Sequence, residues 1–184
     1  MLPYLIGGIA AYGALIGGLY LAQEGMIFPR RAARVPFYRL PDHSERLTLR
    51  NPDGFRLVGN LVRAAGPSRG LIFGFGGNAC NADDYTSFLA QRLWDFDLVV
   101  FHYRGYEPSE GEPSEAALFA DAEFVYDTIT YGLKPKRVYA LGASLGSGVA
   151  AWLASRRELA GLVLITPFDS IEALAKSRYP FAPV

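Results

Sequence analysis

Cysteine and histidine are almost absent from this chain: its 184 residues include one cysteine, Cys80, and two histidines, His43 and His102. A single cysteine excludes an internal disulfide, and with no C-x-x-C pair or Cys/His ligand spacing no metal site is expected. An excess of one charge is missing as well. Eighteen basic and eighteen acidic side chains cancel, so nothing in the balance steers the chain toward nucleic acid or another polyanion. No G-x-x-x-x-G-K-[ST] follows an apolar run, and no G-x-G-x-x-G is placed for a pyrophosphate, which removes the nucleotide-binding readings. No cofactor is expected. There is no fixed-period repeat and no low-complexity tract, which removes a solenoid. What remains is a length that supports one sizeable core.

Charge is also missing locally. From Leu2 to Ala22 no side chain is charged, and about 20 apolar residues suffice to cross a bilayer as a helix. The flank lacks the basic residues and the small-residue cleavage site of a signal peptide, so residues 1–28 read as a transmembrane anchor. Arg30, Arg31 and Arg34 follow the span, which predicts a single-pass membrane protein with the rest of the chain on the cytoplasmic side. Gly13 and Gly17 form a small-xxx-small pair, an ordinary feature of membrane helices. Residues 29–44 carry Pro29, Pro36 and Pro41 and read as a linker.

From Glu45 onward the pattern changes. Residues 46–50 and 56–62 alternate apolar and polar around Asn51-Pro52-Asp53-Gly54, a hairpin signal. Residues 71–75, 98–101, 138–141 and 162–165 are short continuous apolar runs, the mark of strands covered on both faces. Helical candidates at 84–94, 114–131, 146–156 and 170–178 alternate with them. The alternation predicts an α/β fold with a mostly parallel sheet and helices on both faces.

In such a sheet ligands bind beyond the carboxyl ends of the strands, hence in the loops after Phe75, Phe101, Leu141 and Ile165. One of these loops carries Gly142-Ala143-Ser144-Leu145-Gly146 between an apolar strand and a helix-forming run. This is the G-x-S-x-G pattern of a nucleophilic serine on a sharp strand-to-helix turn. Another holds Gly74-Phe75-Gly76-Gly77-Asn78-Ala79-Cys80-Asn81, where glycines let backbone N–H groups approach an oxygen. Acyl transfer uses two such donors, one from the residue after the nucleophile and one from this loop. Leu145 and Asn78 are the candidates.

These residues resemble the α/β-hydrolase superfamily, in its small, amino-terminally membrane-anchored branch of bud-emergence-type hydrolases, grouped with serine aminopeptidase and lysophospholipase-like proteins. Members show a loop written HGNAGN, a segment DYRGYGxSxGxPS, the elbow, and a stretch ending near YPF. Here these correspond to residues 76–81, to 102–114 beginning His102-Tyr103-Arg104-Gly105-Tyr106, to the elbow at Ser144, and to Tyr179-Pro180-Phe181. Members have His in place of Gly76, Gly in place of Cys80 and Asp in place of His102. The resemblance implies Ser144 as nucleophile, backbone N–H groups of Asn78 and Leu145 as the oxyanion hole, and a small-molecule or lipid-like acyl substrate cleaved at an ester, thioester or amide.

In that superfamily the chain order is Ser, then Asp or Glu, then His. No histidine follows Ser144 in these residues, and a serine hydroxyl needs a base to take its proton. The resemblance implies that residues 45–184 are a partial hydrolase domain lacking its C-terminal strands, the acid and the histidine, with impaired activity. The alternative is a silent fragment or pseudoenzyme acting by association through the exposed edge of the last strand. His102 is expected two strands, about 10 Å, from the elbow strand, capping a loop, and His43 on the surface of the linker. Asp169 reads as a helix N-cap region residue, Asp121 as a helix-surface or loop-binding carboxylate, Arg104 as a loop brace paired with a carboxylate, and Cys80 as a small buried side chain.

Overall fold

The computed structural model of the chain describes residues 2–168. They fall into two compact units, one containing the first helix, α1 (Leu2–Ile27), and one running from Arg30 to Pro167. Among the described residues no single helix is long and apolar enough to cross a membrane. Ile6–Ala22 and Gly25–Ala33 reach that length and composition only as a pair bent by 56°. The expected helix at 170–178, together with Asp169, lies outside the described residues.

The second unit opens with a short 3-10 turn at Arg30–Ala33 and continues through β1 (Ser44–Arg50) and β2 (Arg56–Val62), the expected hairpin. Its turn is held by Asn51, whose side-chain oxygen accepts the Phe55 N–H at 2.9 Å, with Gly54 at φ 88°. Then follow β3 (Leu71–Phe75), α2 (Ala82–Ala90), β4 (Asp97–Phe101), α3 (Glu115–Leu133), β5 (Val138–Ala143), α4 (Leu145–Arg156) and β6 (Gly161–Ile165). The sheet order is β1-β2-β4-β3-β5-β6; the β1–β2 and β2–β4 pairs are antiparallel, and the rest parallel.

Helix α2 starts two residues before its expected position. The Asn81 side chain accepts the Asp83 N–H at 2.8 Å and so satisfies an end group of the first turn. Ser114 does the same for α3 through Ala117 N–H at 3.1 Å.

The sheet divides the core in two because successive side chains in a strand point to opposite faces. Leu71, Phe73 and Val99 pack with Val125 and Ile129 of α3. Ile72, Leu98 and Val100 pack with Ala82, Tyr85 and Leu89 of α2. Chain connection explains this split: β3 leads through α2 to β4 on one side and β4 leads through α3 to β5 on the other, and right-handed crossovers in opposite directions place their helices on opposite faces. The reversal of direction lies at β3, so the loops after β3 and β5 border the crevice where such sheets bind ligands.

Candidate active site

Ser144 directly follows β5 in a conformation that few non-glycine residues adopt, φ 50° and ψ −119°, and it is exposed. A residue held in such a region costs about 1–3 kcal/mol, and it persists because the surroundings over-determine it. Three contacts do so here. The Ser144 N–H donates to Ile165 O of β6 at 2.9 Å, while Ser144 O accepts from the Ser147 N–H at 2.8 Å and from the Ser147 hydroxyl at 2.6 Å.

The flanking glycines are demanded by contact. A Cβ on Gly142 would lie 2.2 Å from Gly146 O, and one on Gly146 would lie 2.1 Å from Phe75 O and 2.6 Å from Gly76 O. The start of α4 is thus pressed directly onto the end of β3. Leu145 is the first residue of that helix, and an N–H in the first turn has no partner within its own helix.

The loop after β3 faces the same point: a Cβ built on Gly77 lies 3.6 Å from Ser144 Cβ. Its carbonyls are turned inward. Gly76 O accepts the Tyr103 hydroxyl at 2.7 Å, Gly77 O accepts the Cys80 N–H at 3.1 Å, and Asn78 O accepts the Tyr106 hydroxyl at 2.7 Å. In a planar trans peptide the C=O and N–H point in opposite directions, so fixing three carbonyls also fixes the directions of the next three N–H groups. The loop residue facing Ser144 is Gly77, with Asn78 next in line. Burial pushes the Tyr103 phenol far above its ordinary range and the Tyr106 phenol up to about 12, which keeps both hydroxyls as neutral donors. Neither tyrosine was singled out by sequence reading, and only their place in the resembling segment offered a signal.

His102 does not meet Ser144. It is buried, and its Nε2 lies 3.0 Å from Asp83 Oδ1 and 3.5 Å from Arg46 Nη1. Arg46 donates to both Asp83 oxygens, at 2.8 and 2.9 Å, and Asn60 Nδ2 donates to Asp83 Oδ1 at 2.9 Å. Burial pushes the Asp83 carboxyl up, but the hydrogen bonds from His102, Arg46 and Asn60 outweigh it and hold the group far below the usual carboxylate range. The ring therefore ties its strand to α2 rather than serving the elbow, two strands away. His43 is exposed in the linker.

Arg104 braces its loop as expected. Its Nε and Nη2 donate to the two oxygens of Asp121 at 2.9 and 2.6 Å, and Nη1 donates to Asp53 at 2.7 Å. Asn51 adds a hydrogen bond to Asp121 at 2.8 Å. A cavity of about 30 Å³ borders this pair, walled by Leu57, Phe73, Leu118 and Val125 on the α3 side of the sheet. It is large enough for water but not for a substrate, and Ser144 is not among its walls. Cys80 is half-buried; burial, then the nearby Asp84 carboxylate, push its thiol up. Among the described residues no group of three or more His, Cys, Asp and Glu is arranged to hold a metal.

An exposed serine on a strained strand-to-helix turn, beside a glycine loop with fixed N–H directions, is an arrangement suited to acyl transfer. A family model described as the alpha/beta hydrolase fold matches residues 71–180, more than half of the chain. The chain belongs to this family. The lysophosphatidylserine lipase ABHD12 of Danio rerio is 43% identical to this α/β hydrolase over 94 residues, covering 48% of the chain and 24% of that protein. An uncharacterised protein of Mycobacterium tuberculosis is 36% identical over 137 residues, covering 72% of the chain and 48% of that protein. The chain spans less than half the length of both relatives. Among solved structures, an α/β serine hydrolase homologue from Coxiella burnetii matches with a TM-score of 0.61 at 18% identity, over 79% of this chain and 73% of that one. That likeness is one of fold alone.

Proposed function

We propose that this α/β hydrolase is a membrane-anchored serine hydrolase of the bud-emergence-type, lysophospholipase-like branch, facing the cytoplasm. It cleaves an ester, thioester or amide of a lipid-like acyl substrate through a Ser144 acyl-enzyme. The observation that carries this reading is the exposed Ser144 at φ 50°, set against Gly77 across the rim of the sheet. The Ser144 hydroxyl attacks the acyl carbonyl, and the N–H groups of Leu145 and of the 77–78 turn hold the oxygen on which charge develops. The fixed carbonyls of Gly76 and Gly77 keep those donors from reorganising, which is where such sites gain most of their effect. A lipid-like substrate is supported by the named activity of the ABHD12 relative.

The base is the element these 184 residues do not supply. His102 is committed to Asp83, and His43 lies in the linker. In this reading neither histidine serves Ser144 as its base, and the isolated chain acylates slowly. A fluorophosphonate probe tests this directly: weak labelling, abolished by Ser144→Ala, is expected. Strong Ser144-dependent labelling of the isolated chain refutes the missing base. Labelling that survives Ser144→Ala refutes the nucleophile.

One observation favours a second reading, a silent protein acting by association. Strand β6 pairs only with β5 among the described residues, and Leu162 to Ile165 are 37–52% exposed. An apolar strand edge of this kind invites a partner. Turnover of a panel of short and long esters separates the two readings.

A further inference from the structure

We propose that the strap formed by residues 30–40, together with the outer side of α2, is a docking surface for an anionic bilayer, holding the Ser144 rim against the lipid. This rests on the membrane-anchor reading given above.

The strap is tied to α2 through its backbone. Ala33 O accepts the Asn81 side-chain amide at 2.7 Å, Asp84 Oδ1 accepts the N–H groups of Phe37 and Tyr38 at 2.8 and 2.7 Å, and Arg39 O accepts the Ser87 hydroxyl at 3.0 Å. With the backbone facing the helix, Ala33 is buried and the larger side chains that follow it are left outward. Val35 is 71%, Phe37 87% and Tyr38 64% exposed. Phe88, 43% exposed, stands one helical turn beyond Asp84, on the face where Phe37 and Tyr38 are tied. The Arg92 guanidinium lies 3.8 Å over the Phe88 ring. Large exposed apolar side chains gathered on a strap hydrogen-bonded to α2 mark an interaction site.

Three features select a bilayer as the occupant. First, the strap directly follows α1, whose residues from Leu2 to Ala22 are uncharged. The eight residue-to-residue steps from Ile27 to Val35 reach at most about 28 Å even when extended, so an anchored α1 keeps Val35 near the lipid. Second, rings and guanidinium groups together are the composition of a membrane–water interface. Third, the charge is complementary to lipid phosphate: Arg30, Arg31, Arg34 and Arg39 lie in a stretch with no acidic residue from 30 to 39. Arg30, Arg34 and Arg39 pair with Glu112, Glu107 and Asp42, but all three pairs are solvent-exposed. Exposed pairs contribute about 0–1 kcal/mol, so they exchange readily for phosphate contacts. The functional consequence lies at Asn81, which both starts α2 and holds Ala33 O. The loop before it faces Ser144, so a strap seated on lipid brings the nucleophile to the surface from which an acyl lipid would come.

The test uses the full chain with Cys80→Ser and a nitroxide label at Phe37→Cys, Phe88→Cys or, as control, Tyr131→Cys. Tyr131 is 84% exposed on α3, which packs on the opposite face of the sheet. The labelled chains are reconstituted in phosphatidylcholine vesicles containing phosphatidylglycerol, and collision with oxygen is compared with collision with a water-soluble nickel chelate. Labels at 37 and 88 severalfold protected from the chelate and open to oxygen, with 131 open to the chelate, support the proposal. If the chain floats with the vesicles but 37 and 88 are as open to the chelate as 131, the docking surface fails and the anchor stands. A chain that does not float with the vesicles overturns both. Protection of 37 and 88 in detergent alone, with spin–spin broadening, assigns the patch to a second copy and overturns the bilayer.

Discussion

Gly146 and Gly148 stand two residues apart in α4, and the same substitution should move stability in opposite directions. At Gly148 an added Cβ meets nothing within 4 Å. Only the helix propensity changes there, and alanine is favoured over glycine by about 1 kcal/mol. At Gly146 the added Cβ lies 2.1 Å from Phe75 O and 2.6 Å from Gly76 O, both backbone atoms at the end of a central strand. Relief requires the helix start and the strand end to separate by about 1 Å, and overpacking of this severity costs about 3 kcal/mol. The propensity gain offsets roughly a third of it, leaving Gly146→Ala destabilised by about 2 kcal/mol. For a chain of this size 1 kcal/mol shifts the melting temperature by about 2–4 °C. Thermal unfolding followed by circular dichroism in mild detergent should therefore show Gly146→Ala melting about 4–8 °C lower and Gly148→Ala about 2–4 °C higher than the parent. If the two variants shift the same way, or if Gly146→Ala is neutral, the close seating of α4 on β3 is wrong, and with it the geometry assigned to the elbow.

Replacing Asp121 with leucine removes two of the three carboxylate bonds of the buried Arg104 guanidinium and leaves it the Asp53 bond, so it should cost about 3 kcal/mol in denaturant unfolding, the low end for a broken buried pair, whereas the double variant Arg104→Met/Asp121→Leu should recover most of that loss. The Asp83 carboxyl is depressed in the folded state, so its contribution to stability is fully present above the ordinary carboxylate pKa and is lost as the pH falls below about 4. Unfolding measured down through that range should show this loss in the parent and a flatter profile in Asp83→Asn. The Cys80 thiol, raised by burial and by Asp84, should alkylate more slowly at neutral pH than a free thiol; mass spectrometry after maleimide treatment reads the rate, and equal rates contradict its half-buried placement.

Much of the fold was legible because its signals are local. The continuous apolar runs at 71–75 and 138–141 marked buried parallel strands, and Asn51-Pro52-Asp53-Gly54 marked the hairpin turn. The elbow was legible for a steric reason, since glycine on both sides of a serine is costly unless contact requires it, and the contacts at Gly142 and Gly146 require it. The start of α2 was misplaced because Asn81, inside a glycine-rich stretch, looked like loop when its side chain was acting as a cap. The partners of His102 were not legible. Asp83 lies 19 residues away and Arg46 lies 56 away on β1, and no sequence spacing encodes a meeting made across the sheet edge.

The tyrosines show a deeper limit, because their role depends on what they do to another loop. Tyr103 and Tyr106 leave the end of β4, cross toward the neighbouring strand β3, and each takes a carbonyl of the turn that follows it. Had Gly76 O and Asn78 O been free, the glycines that let this turn approach Ser144 would also let its peptides rotate, and an N–H that rotates must be reordered as charge develops. Glycine supplies access and the phenols supply order. The same logic bears on the position where this chain carries Gly76 and the resembling family carries histidine: the side chain differs, yet the peptide it belongs to is fixed from the carbonyl side by Tyr103. Tyr103→Phe should therefore leave Gly76 O without its donor and cost about 1–3 kcal/mol in stability. Where the proposed hydrolase activity is measured as turnover of an ester, the same change should lower kcat with little change in KM, because the orientation lost acts on the transition state and not on ground-state binding. An unchanged kcat would show that the loop orders itself without the phenol, and that its carbonyl bonds serve packing alone.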